Sequence, residues 1–150
     1  MVSWKGIHAI VFGAAALGFV IFYEFNRSQQ NHIRDVSIMQ LLAEPDDYDE
    51  TTIRVSGYLH IEFESSALYL IEEHAAYLMN RDSLWVSFSD ECKVEVLDAN
   101  GFSIPGEIKS VNDRYVIVEG VFDANMHGHM NGFSAGIGHI MRVSEQKCYR

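Results

Sequence analysis

TIRVSGYLHIEF, residues 52–63, is the stretch on which the fold turns. Ile53, Val55, Gly57, Leu59, Ile61 and Phe63 occupy every second position, and Arg54, Ser56, Tyr58, His60 and Glu62 fill the alternate ones. Successive side chains of a strand point to opposite faces, so this period of two predicts a long strand with one apolar face. Gly57 in its middle predicts a bulge or a sharp bend. Residues 64–66 turn the chain, and ALYLI at 67–71 predicts a second strand. EEHAAYLMN at 72–80 reads as a short helix. LWVSF at 84–88, YVIVEGVF at 115–122 and SAGIGHIMRV at 134–143 predict three more strands, with Gly120 inside the fourth and Gly136 and Gly138 inside the fifth. Upstream, Ser37 followed three residues later by Gln40 matches a capping box and starts a helix of about two turns that Pro45 ends. Its apolar stripe is either Val36, Met39 and Leu42 or Ile38 and Leu41. Between the third and fourth strands, Asn100-Gly101 and Pro105-Gly106 are turns, and residues 93–97 read equally as strand or helix.

Five short strands with internal glycines suit a small, strongly coiled barrel, because glycine lets a strand bend around a barrel corner. The expected fold class is therefore mainly β: a five-stranded OB-like barrel with short helices, preceded by an N-terminal transmembrane helix. An open meander or a split sandwich satisfies the pattern almost as well. The chain has 150 residues, 48% of them hydrophobic and 21% charged, which suits one domain with an appendage and excludes a disordered chain. Its net charge of −10 argues against a general nucleic-acid binder. Two cysteines, Cys92 and Cys148, are too few for a disulfide scaffold, although they could pair with each other outside the cytoplasm.

The appendage is IHAIVFGAAALGFVIFY, residues 7–23, which contains no charge. At 1.5 Å per residue it reaches about 25 Å, the low end of a bilayer span, and Trp4 and Phe25 extend it as interfacial aromatics. A cleaved signal peptide is the main rival. However, the run stays apolar from Leu17 to Tyr23, beyond the small residues Ala14, Ala15 and Ala16 where a cleavable signal would turn polar. The organisation expected is an anchor over residues 1–25, a polar linker over 26–35 and a barrel domain over 36–150. A short N-terminal tail carrying Lys5 favours an N-terminus in the cytoplasm. The chain is then a single-pass protein of a bacterial inner membrane, held there by residues 7–23, with a periplasmic domain.

Three stretches, RVSGYLHIEFESSALYL, YVIVEGVF and HGHMNGFSAGIGHI, resemble a group of uncharacterised bacterial membrane-anchored OB-fold-like proteins. The likeness covers residues 36–143. It implies the fold; it implies little about activity, because OB barrels carry many unrelated functions.

Two surfaces stand out as candidate sites. Met126-His127-Gly128-His129-Met130 lies between strands four and five, and Glu62 and Glu64 lie at the turn between strands one and two. In an OB barrel those two connections flank the ligand face. Imidazole and carboxylate suit zinc or Cu(II) and thioether suits Cu(I), so His127, His129, Glu62 and Glu64 are candidate metal ligands. The plainer reading is that Gly128 sets a tight turn while Met130 and Phe133 cover the barrel mouth. The second surface is aromatic: strand parity places Tyr58 and Trp85 outside the barrel, with Tyr69 beside them, where rings can stack on a ligand. The plainer reading packs them under the helix at 36–43 or under residues 89–114. His60 and His139, inside strands, read as hydrogen-bonded structural residues.

No Gly-x-Ser-x-Gly elbow, phosphate loop or dinucleotide fingerprint is present, which lowers the case for an enzyme. The expectation is a membrane-tethered extracytoplasmic binding or accessory module without catalytic activity and without a cofactor, recognising a protein, peptide or glycan. The alternatives are a metal-binding envelope protein using the His/Glu rim and a hydrolase with a dispersed carboxylate–histidine site.

Overall fold

The computed structural model describes residues 32–88, 95–103 and 108–147. Residues 7–23, read as the membrane anchor, lie outside the described residues, as do Cys92 and Cys148. Among the described residues no helix is long and apolar enough to cross a membrane.

Strand β1 (Arg34–Val36) takes up the last two residues of the stretch read as linker and leads into helix α1 (Ile38–Ala43). The capping box forms: the Gln40 amide donates to the Ser37 hydroxyl at 3.2 Å, and the Ser37 amide donates to the Gln40 side chain at 2.9 Å. Of the two possible stripes, Ile38 and Leu41 are the buried pair, while Met39 faces solvent. The chain continues through β2 (Thr52–Ile61), β3 (Ser66–Tyr69), helix α2 (Glu72–Ala76), β4 (Ser83–Val86), β5 (Glu95–Leu97), β6 (Arg114–Asp123) and β7 (Ala135–Glu145). Strand β2 pairs antiparallel with β3, and β3 with β4; β4 runs parallel to β7; β6 lies antiparallel to both β7 and β2 and closes the ring. The result is a closed five-stranded barrel, as the strand count suggested. Its interior is filled by Ile53, Val55, Leu59, Leu68, Leu84, Val86, Val118, Phe122 and Ile137, with Ile38 and Leu41 of α1 packed against them.

Two long strands bend where they change partners. Along one edge, β2 pairs with β1 through residues 53–55 and then with β3 from Tyr58 onward. Gly57 sits at that switch, where a Cβ would lie 2.6 Å from the Tyr69 carbonyl oxygen. Strand β7 likewise pairs with β4 through residues 135–137 and with β5 through 142–144. Between those stretches the β6–β7 register shifts at residues 119–121 and His139 takes a φ of 44°. Gly120 faces that irregularity, 2.8 Å from the Gly138 carbonyl oxygen by the same measure. Residues 139–141 of β7 thus stand against the single residue Gly120, and extra residues on one strand of a pair increase local twist, which is what closing so small a ring requires.

The outer face of the long strands carries one charged rung. Asp35, Arg54, Glu119, Arg142 and Glu95 are successive cross-strand neighbours on β1, β2, β6, β7 and β5. Arg54 donates to Glu119 at 2.8 Å and to Asp35 at 3.2 Å; Arg142 donates to Glu95 at 2.7 Å and lies 3.5 Å from Glu119. Alternating signs at directly opposed positions stabilise one register and penalise a slipped one. Glu119, in the middle, is only 6% exposed.

Two local expectations are corrected and one left open is resolved. Phe63 does not belong to the inward row. Strand β2 ends at Ile61, the Glu62 amide donates to the Ser65 carbonyl at 2.7 Å, and this turn lifts Phe63 out to 99% exposure. The helix read over 72–80 stops at Ala76, because Leu78 adopts a φ of 52° and the Leu78 and Met79 amides close the end onto Ala75 and His74. Within the stretch read as strand or helix, residues 95–97 form strand β5.

Candidate functional site

The aromatic surface is not open. Tyr58 and Tyr69 do lie outside the barrel, as parity required, and they face each other across β2 and β3. Yet Tyr58 is only 8% exposed and Tyr69 1%, buried in a second small core with Ala75 and Phe133, against which the half-buried Trp85 packs. Helix α2 and the β6–β7 connection supply the cover, and neither α1 nor the described part of residues 89–114 takes part in that cluster. Tyr69 donates its hydroxyl to Asn80 at 2.7 Å, so the ring is tied to the segment that covers it. Trp85 leans on Phe133 with ring centroids 5.3 Å apart. Gly128, at a φ of 61°, lies against the Trp85 indole so closely that any Cβ there would collide with it. Tyr58, Tyr69 and Trp85 are therefore not an exposed stacking platform; parity names the face but not what lands on it.

The rim expected from topology forms only in part. The β2–β3 turn and the β6–β7 connection do meet, with His129 Nε2 3.8 Å from Glu64 Oε2. They border a shallow cleft of about 340 Å³ lined by Phe63, Glu64, Trp85, Phe88 and His129. Glu62 turns the other way and pairs with His60 at 3.1 Å. His127 has its Nδ1 enclosed without a hydrogen-bond partner among the described residues. Among the described residues no three His, Cys, Asp or Glu side chains converge on a point that could hold a metal ion. The four candidate ligands thus resolve into one loose pair, Glu64 with His129. Zinc or copper at this rim would need ligands beyond that pair. What the two loops do present is apolar: Phe63, next to Glu64, is 99% exposed and Met130, next to His129, is 87% exposed.

A second cluster was only half legible in the sequence. His60 lies between two carboxylates, Nδ1 at 2.5 Å from Asp113 and Nε2 at 3.1 Å from Glu62. A ring with an acceptor at each nitrogen is best satisfied as the doubly protonated imidazolium. Partial burial is the largest single influence and works against that charge. The hydrogen bonds and charges of Asp113 and Glu62 together outweigh it and raise the His60 pKa above its ordinary value. Asp113 is held in place by a φ of 55°, by its amide donating to the Leu59 carbonyl at 2.9 Å, and by Asn112, whose side chain accepts the Ile61 amide at 2.7 Å. The cluster opens on a cleft of about 350 Å³ between β2 and α2, lined by Tyr58, Glu62, Glu72, Ala75, Leu78 and Asp113. His60 lies on the outward row of β2 and Glu62 follows two residues later, just past the strand's end, so their i, i+2 spacing was a visible signal; Asp113, 53 residues away, was not. The hydrogen-bonded strand histidine read from sequence is what the structure contains at His60.

No family model, no curated protein and no solved structure matches this chain.

Proposed function

We propose that this chain is a membrane-tethered, extracytoplasmic binding module of OB-like fold that docks a protein partner on the rim formed by Phe63, Glu64, His129 and Met130. The uncharged run at 7–23 supports the tether to a bacterial inner membrane. The pairing order, in which the third and fifth barrel strands run parallel and the fourth lies between the fifth and the first, supports the OB-like reading. The observation that carries the functional reading is the exposure of Phe63 and Met130 on two loops brought together at Glu64 and His129. Aromatic and methionine side chains at adjacent loop tips are the kind of anchor that protein interfaces bury, with a polar pair beside them to orient the partner. Helix α2 and the β6–β7 connection cover Tyr58 and Tyr69, so that strand face offers no stacking platform, whereas the rim stays exposed.

The test is site-specific photocrosslinking in cells, with a benzophenone side chain at position 63, at 130, or at the control position Asp46. A discrete adduct from 63 and 130 that is absent from 46, and that disappears when the other rim residue is changed to Ser, is the expected result. The same adducts from all three positions, or none from 63 and 130, would overturn the reading.

A further inference from the structure

The shallow cleft at the rim has a chemistry that the barrel itself does not use. Three aromatic side chains line it, Phe63, Trp85 and Phe88, together with the carboxylate of Glu64 and the hydroxyls of Ser66 and Ser87. The three rings are held differently. Trp85 is fixed by Phe133, at a centroid distance of 5.3 Å, and by Gly128 pressed against its indole. Phe88 is half-buried and packs on the barrel core. Phe63 is almost fully exposed, so its ring faces are free for a ligand. Glu64 is largely exposed as well, and no lysine or arginine lines the cleft.

Aromatic faces are electron-rich, and a carboxylate beside them adds a full negative charge. Together they select a cation that also carries flat or apolar surface. An uncharged apolar group would strip water from Glu64 without replacing it. An anion would be repelled by Glu64 and by a chain of net charge −10.

We infer that this cleft receives an arginine side chain of the docked partner, its guanidinium stacked on Phe63 and Trp85 and paired with Glu64. The inference rests on the protein-partner reading above and states what that partner must present. A guanidinium lies flat on an aromatic ring and offers a fork of N–H donors to a carboxylate, whereas a lysine ammonium is compact and more strongly hydrated. The remaining N–H groups donate to the hydroxyl oxygens of Ser66 and Ser87. A shallow cleft of about 340 Å³ suits one side chain delivered by a surrounding interface better than a free small molecule, which needs enclosure. Met130, exposed beside His129, meets apolar residues flanking that arginine.

The chain has two tryptophans, Trp4 and Trp85, so one serves as an internal control for the other. Full-length protein in an uncharged maltoside detergent, labelled at the indole nitrogens and assigned with Trp4→Phe, is titrated by NMR at fixed ionic strength. The probes are blocked Gly-Arg-Gly, Gly-Lys-Gly and Gly-Leu-Gly peptides. The expected result is a saturable shift of the Trp85 signal by Gly-Arg-Gly with a Kd of about 1–10 mM, and binding at least about threefold weaker for the other two. Phe63→Ser and Glu64→Gln should each weaken Gly-Arg-Gly binding about two- to fivefold, while Asp46→Asn leaves it unchanged. A lysine or leucine peptide binding as tightly as the arginine peptide would overturn the inference. So would the absence of a saturable Trp85 shift at about 30 mM, or unchanged affinity in both rim variants. Crosslinks from positions 63 and 130 alongside such a result would remove the arginine and keep the partner; arginine binding without those crosslinks would keep the cleft chemistry and remove the partner.

Discussion

Replacing Gly120 or Gly57 with alanine adds one carbon in each case and tests how tightly the barrel is coiled. At Gly120 that carbon would lie 2.8 Å from both the Gly138 carbonyl oxygen and Ile137 Cγ2, and 3.0 Å from Ile140 Cδ1. At Gly57 it would meet the Tyr69 carbonyl oxygen at 2.6 Å and Leu68 Cγ at 2.7 Å. Each closest approach is about 0.6–0.8 Å inside the 3.4 Å at which ordinary contact begins. In each case one colliding atom is a backbone oxygen of a paired strand, which cannot rotate aside without breaking ladder hydrogen bonds. Overpacking of this kind costs about 1–3 kcal/mol, and removing a strand glycine returns roughly 0.5–1 kcal/mol. Because the colliding atom is backbone, the cost falls in the upper part of that range, and the net expected loss is about 1–2 kcal/mol for alanine, and more for valine. At roughly 3–6 °C per kcal/mol for a folded unit of this size, that corresponds to a fall in Tm of about 3–12 °C. Urea denaturation of the full chain, followed by far-ultraviolet circular dichroism, reads it directly. A loss below about 0.5 kcal/mol at both positions, the range of an innocuous surface change, would refute the argument that these two sites are the corners of a tightly closed barrel.

Glu119→Gln should cost about 1–2 kcal/mol, since Arg54 and Arg142 are left facing each other, and a double-mutant cycle with Arg54→Gln should recover part of it; a cycle showing no coupling would remove the charged rung from the account. The raised pKa of His60 gives a signed pH dependence. Its stabilisation is complete below the unfolded value of about 6.5 and is lost as pH rises through the higher folded value, so stability should decline over that interval and His60→Gln should flatten the decline in denaturation curves taken across it. The uncharged run at residues 7–23 predicts that the full chain stays with the membrane fraction after a carbonate wash at high pH. Release into the supernatant, or a mature N-terminus beginning after Ala16, would refute the tether.

The features legible from sequence are those with a short period. Alternation over 52–63 located β2 and its two faces, the Ser37–Gln40 spacing located the α1 cap, and glycines inside strands located the bends. Each depends on residues within a few positions of one another, where backbone geometry alone sets the relation. The meeting of the β2–β3 turn with the β6–β7 connection followed from strand order, and Glu64 with His129 is the part of the expected rim that exists. Strand parity could not say that α2 would come down on Tyr58 and Tyr69, nor that Phe63 would leave the sheet one turn beyond Ile61. Those outcomes depend on how segments distant along the chain compete for the same apolar surface. The His60–Asp113 contact spans 53 residues, and the rung from Asp35 to Glu95 joins five strands. Such contacts exist only once the ring closes in one register, because closure chooses which outward-facing residues become neighbours. The sequence by itself determined which residues face out; the tertiary structure decided which of them are covered, which are paired and which are left for a partner.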